Sequence, residues 1–124
     1  MRARGFTLIE LLVVMAIVAL LLAVAAPRYF AHLDRSKEVA LRQTLAVTRD
    51  AIDKFHADRG RYPETLEELV DKRYLRKLPV DPLLDSSADW QTVPPPPGAA
   101  AGAVYDLKSG APGNGADGSP YGEW

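Results

Sequence analysis

The order of apolar and polar positions divides the chain into three parts. From Phe6 to Ala26 every position except Thr7 and Glu10 is apolar, a run of 21 residues with one charge in it. At the helical rise of about 1.5 Å per residue it would reach roughly 30 Å, the thickness of a bilayer's hydrocarbon core. Pro27 follows; it removes one helix hydrogen bond and tends to kink or loosen the turn before it. Beyond it the sequence turns charged, and a new period appears. Leu41, Leu45, Thr48, Ile52 and Phe55 recur at spacings of 4, 3, 4 and 3, one face of an amphipathic helix. The opposite side carries Arg35, Lys37, Glu38, Arg42, Arg49, Asp50, Asp53 and Lys54. Asp50 with Lys54 and Glu38 with Arg42 have the i,i+4 spacing of helix-surface ion pairs, and Asp34 with Lys37 is a similar pair. These charges read as a solvated face, and the stripe as core for the sheet that follows.

Gly60 is placed to stop this helix, and Tyr62-Pro63 confirms the break. Residues 65–70 predict a short second helix, with Thr65 as N-cap and Glu68 completing a capping box. Tyr74, Leu75 and Leu78 give it an apolar end, and Pro79 and Pro82 are expected to terminate it. Two short runs, Trp90-Gln91-Thr92-Val93 and Ala103-Val104-Tyr105-Asp106-Leu107, predict an antiparallel strand pair. The loop between them begins with Pro94-Pro95-Pro96-Pro97, in polyproline geometry, which reads as a stiff connection in preference to a ligand for a proline-binding module. From Ser109 to Trp124 the chain holds five of its nine glycines and reads as turns and loop. The fold class is therefore α+β: a long N-terminal helix, half apolar and half amphipathic, packed on a short helix and a small antiparallel sheet.

Composition narrows the function by exclusion. With 124 residues there is room for one domain beyond the apolar segment. Setting aside Arg2, Arg4 and Glu10 leaves 13 basic and 15 acidic residues in positions 28–124, so a nucleic-acid partner has no electrostatic support. There are no cysteines, which leaves the redox compartment undecided. No catalytic constellation stands out. His32 and His56 lie 24 positions apart on one expected helix, roughly 36 Å at the helical rise, too far to share a metal. Glu67 and Glu68 are adjacent, and adjacent helical positions do not face each other. An enzyme is not expected.

Glu10 is the position that asks for an explanation. A lone carboxylate in a hydrocarbon-length run costs a few kcal/mol or more and marks a functional site by default. The segment alone is compatible with a secretory signal peptide cut near Ala23-Val24-Ala25, or with a plain anchor that tethers a binding module. A mere tether has no use for Glu10. A buried core helix is disfavoured, because the rest of the chain has no second apolar face to cover it. Arg2 and Arg4 would hold the cytoplasmic side.

The string Gly5-Phe6-Thr7-Leu8-Ile9-Glu10, after a short basic leader, resembles the processing motif of type IV pilins and of the pseudopilins of type II secretion. Arg59-Gly60-Arg61-Tyr62-Pro63, the stretch from Tyr74 to Pro82, and the tail pattern around Tyr105-Asp106-Leu107 and Asp117-Gly118-Ser119-Pro120-Tyr121 are similar to major pseudopilins. The resemblance implies three parts: a leader (1–5), a transmembrane and filament-core helix (6–27) and a soluble pilin-like domain (28–124). It implies cleavage by a prepilin peptidase between Gly5 and Phe6, N-methylation of Phe6, and an assembly role for Glu10 against the terminal amine of a neighbouring subunit. The implied partners are further copies in a helical filament, minor pseudopilins, the peptidase and an inner-membrane assembly platform. The implied place is the bacterial inner membrane, spanned once, with the C-terminal domain in the periplasm. The function that follows is a structural subunit of a type II secretion pseudopilus that helps drive protein export. The alternative is a type IV pilin for adhesion, motility or DNA uptake, disfavoured by the short C-terminal part and the missing disulfide.

The resemblance also implies a Ca²⁺ in the C-terminal loop, and here the residues depart from it. Calcium takes six to eight oxygens, several of them charged. Between Val104 and Trp124 the chain offers Asp106, Asp117 and Glu123, with Asn114, Ser109 and Ser119 as neutral helpers. No metal cofactor is expected on that count, and Asp117 is the leading ligand should calcium bind. The tail would instead be held by packing of Tyr105, Tyr121 and Trp124.

Overall fold

A computed structural model describes residues 5–124, so Arg2 and Arg4 of the basic leader lie outside the described residues. Helix α1 runs from Leu8 to Arg59 and continues through Pro27. Its contacts place its first part in a unit ending at Arg35 and its second part in the compact unit Ser36–Trp124. In the first unit the side chains of Leu8, Ile9, Leu11, Leu12, Met15, Ile17, Leu20, Leu21 and Leu22 are all exposed. Nothing among the described residues covers them, so apolar surroundings must come from elsewhere.

The second unit holds the core. Leu41, Leu45, Thr48, Ile52 and Phe55 are buried as the 4-3-4-3 stripe predicts, and Ala51 joins them. They pack with Leu66, Leu69, Trp90, Val104 and Leu107. Thr48 enters this stripe because its hydroxyl donates to the Thr44 carbonyl one turn back, at 2.8 Å, which satisfies the polar group inside the core. Gly60 ends α1 in the left-handed region (φ 69°), a conformation glycine adopts without a Cβ penalty.

Helix α2 spans Leu66–Asp71, and Thr65 caps it by accepting the Glu68 N–H at 3.2 Å. The other half of the expected capping box does not form. The Glu68 carboxylate takes the Glu64 N–H at 2.7 Å and pairs with Arg61. Nor do the prolines end this helix. It stops at Asp71, with Arg73 in the left-handed region (φ 65°) and the Tyr74 and Leu75 N–H groups both turned back to the Leu69 carbonyl.

Strands β1 (Gln91–Val93) and β2 (Asp106–Lys108) pair antiparallel, with Thr92 opposite Leu107. The second strand is shorter at its start than the sequence predicts. Ala103 and Val104 give their N–H groups to the Pro63 carbonyl, and Tyr62 gives its own to Ala101. The backbone before β2 is therefore already engaged by the segment that leaves α1.

Candidate functional site

Two places carry candidate function: the start of α1 and the C-terminal loop against its second half. At the first, Thr7 and Glu10 cap the helix reciprocally. The Glu10 N–H donates to the Thr7 hydroxyl at 3.1 Å, and the Thr7 N–H donates to the Glu10 carboxylate at 3.3 Å. This is a capping box, which satisfies two orphan donors of the first turn. The Thr-x-x-Glu spacing was legible in the sequence, but the apolar context drew attention to Glu10 alone. The carboxylate is thereby held beside the residue that follows Phe6. Phe6 itself is 85% exposed. A Cβ built on Gly5 would meet nothing within 4 Å, so this chain's own packing does not require glycine there.

The second place is built on Glu38, Arg42 and Arg49 of α1. Arg49 Nε donates to Asp106 at 2.7 Å, and its Nη2 donates to the Leu107 carbonyl at 3.2 Å and to the Trp124 main-chain oxygen at 2.6 Å. Arg42 lies over the Trp124 ring at 4.3 Å and reaches Asp117 at 3.4 Å. Glu38 accepts the Ala116 N–H at 2.9 Å and the Tyr121 hydroxyl at 3.0 Å. Of these three charges, all expected on a solvated face, Arg42 does stay largely exposed, whereas Glu38 and Arg49 are half-buried against the tail, and the expectation is corrected for those two. Their spacing of 4 and 7 places them on one side of the helix, a signal that acquires meaning only once the tail is known to cross it. Asp50 and Lys54 do form the expected solvent-exposed pair, at 2.8 Å.

Asp117 accepts the hydroxyl and N–H of Ser119, at 2.6 and 3.0 Å. These two bonds, and then the Arg42 charge, hold its carboxyl below the usual carboxylate range. Tyr121 and Trp124 meet edge to face at 5.0 Å. Tyr105 does not join them; it packs on Tyr62, with ring centroids 5.1 Å apart.

Among the described residues no three His, Cys, Asp or Glu side chains converge on one point. Asp106 and Asp117 each face a guanidinium. A divalent cation beside either would meet a like charge.

The first 26 residues match the family model described as the prokaryotic N-terminal methylation motif. Among characterised proteins, the type II secretion system core protein G of Klebsiella michiganensis is 30% identical over 108 residues, which is 74% of this chain and 74% of the relative. The chain belongs to the type II secretion system core protein G family. The Pseudomonas aeruginosa member is 35% identical over 94 residues, 63% of this chain and 66% of that protein, just under two thirds of its length. The type IV major pilin protein PilA of Myxococcus xanthus is 37% identical over 68 residues, but these are only 31% of its length. No solved structure matches the chain. The core protein G match thus extends well past the N-terminal motif, whereas the pilin match leaves most of the pilin uncovered.

Proposed function

We propose that this chain is a structural subunit of a type II secretion pseudopilus. It would be cleaved between Gly5 and Phe6, methylated on Phe6, and assembled from a membrane into a filament that helps drive protein export. The observation that carries this is the first half of α1. It is long and apolar enough to cross a bilayer, leaves its apolar side chains uncovered, and bears one carboxylate, Glu10, fixed at its first turn. An uncovered apolar helix is solvated first by lipid and then by copies of itself. In that setting the carboxylate needs a cation. The amine exposed by cleavage at Phe6 of the next copy supplies one, and a buried charge with a hydrogen-bonded partner is tolerated where a lone one is not. Misaligned copies leave Glu10 unpaired, so the pair sets register.

The soluble unit supports a structural role in another way. Its buried polar side chains Thr48, Asp81 and Ser109 hold the fold together, Asp81 accepting the Ser109 hydroxyl and the Leu83 N–H. The processing step is tested by intact mass of the protein extracted from membranes. The expected mature chain begins at Phe6 and carries one added methyl group. A mature terminus near Ala26 would instead make the segment a signal peptide.

A further inference from the structure

The C-terminal loop from Asn114 to Trp124 has almost no regular structure of its own. A bridge between Asn114 and Pro120 and one 3-10 turn, Tyr121–Glu123, are all it contains. Three oxygens from two segments, on Asp106 and Leu107 of β2 and on Trp124, nevertheless converge on the Arg49 guanidinium. One side chain of α1 thereby ties β2 to the end of the loop. Around it, the Trp124 indole N–H donates to the Ser119 hydroxyl at 2.6 Å. The indole lies so close to Gly115 that a Cβ there would come within 2.2 Å of it.

We propose that Arg49, assisted by Arg42, is a built-in cationic clasp for the C-terminal loop, standing where the pseudopilins it resembles are expected to use Ca²⁺. Both devices gather carboxylate and carbonyl oxygens from an irregular loop around positive charge. The difference lies in the source of that charge. A guanidinium stays protonated throughout the physiological range and offers five donors in a fixed fork. The loop is then held whatever the calcium supply outside the cell.

The two arginines do not contribute equally. Arg42 and Asp117 are 60% and 54% exposed, and a pair so open to water is worth little. Arg42 acts mainly by covering Trp124. Arg49 and Asp106 are only 36% and 30% exposed, and Arg49 makes three charge-assisted bonds. Arg49 is the positioning residue of the clasp.

The test is limited proteolysis of the full-length chain in detergent, with cleavage inside the loop followed by mass spectrometry, in excess calcium and in chelator. The native chain is expected to be cut at the same rate in both. Arg49→Gln is expected to raise the rate roughly tenfold in both conditions while helical circular dichroism is retained, since loop opening is a local event. Arg49→Lys, which keeps the charge but loses the fork, should fall between. Arg42→Gln should give a smaller rise, and as an exposed change it decides the matter should Arg49→Gln fail to fold. Slower cleavage of the native chain in calcium than in chelator would overturn the proposal. So would native cleavage rates in the Arg42→Gln chain and in a folded Arg49→Gln chain.

Discussion

At the scale of single residues, Glu10 has two jobs that substitution can separate. It caps its own helix through the Thr7 N–H, and in the proposed filament it meets the amine of a neighbour. Glu10→Gln keeps an acceptor for the cap and loses the charge; Glu10→Ala loses both. Both variants are expected to insert and be cleaved, and both are expected to fail in filament growth. Breaking a buried ion pair costs about 3–5 kcal/mol, far more than the cap at about 1 kcal/mol. Electron microscopy of sheared filaments checks this. Normal filaments from Glu10→Gln would reduce Glu10 to a capping residue. Phe55 is the contrasting case, a residue of the core that also carries Arg59 and Arg61 over its ring. It is fully buried, edge to face with Tyr74 at 5.3 Å, and Phe55→Ala is expected to cost about 3–5 kcal/mol in denaturant unfolding of the soluble unit.

At the scale of elements, the junction between α1 and α2 is fastened chiefly by one carboxylate. Glu68 pairs with Arg61 and also takes the Glu64 N–H, so the turn leaving α1 is fastened to the helix that follows. The Arg61 hydrogen bond, followed by the Glu64 N–H, lowers the Glu68 pKa below its ordinary 4.5. A carboxyl with a depressed folded pKa contributes stability that is fully present above its unfolded pKa. That contribution is lost as the pH falls through the folded pKa. The thermal midpoint of the soluble unit should therefore decline on acidification below the ordinary carboxylate range, and Glu68→Gln should flatten that part of the profile. An unchanged profile in Glu68→Gln would mean that the pair does not anchor the junction. Tyr74 adds a second fastening, donating its hydroxyl to Asp58 at 2.7 Å.

At the scale of the whole molecule, the two units have opposite relations to solvent. Every residue of the hydrophobic core lies in Ser36–Trp124, while the large apolar side chains before Arg35 are exposed. A fragment of residues 28–124 should therefore fold and remain monomeric, because most of the surface that needs covering has been removed, with Tyr29, Phe30 and Leu33 left exposed. Sedimentation at micromolar concentration checks this, and a tight oligomer would place an assembly surface on the soluble unit instead.

Much of this architecture was legible in the chain itself, because periodicity acts locally. The apolar run, the buried stripe from Leu41 to Phe55, the Thr65 cap and the stop at Gly60 each depend on neighbours within a turn or two. Other features depend on which distant segment arrives. Ala103 and Val104 have strand propensity, yet their N–H groups go to Pro63. Glu38 and Arg49 look like solvated charges until segments more than fifty positions away supply their partners. A charged side chain at the edge of a buried stripe has no intrinsic preference between water and a partner. Only the tertiary path of the tail, which brings Asp106, Asp117 and the Trp124 oxygen within reach, decides which it takes.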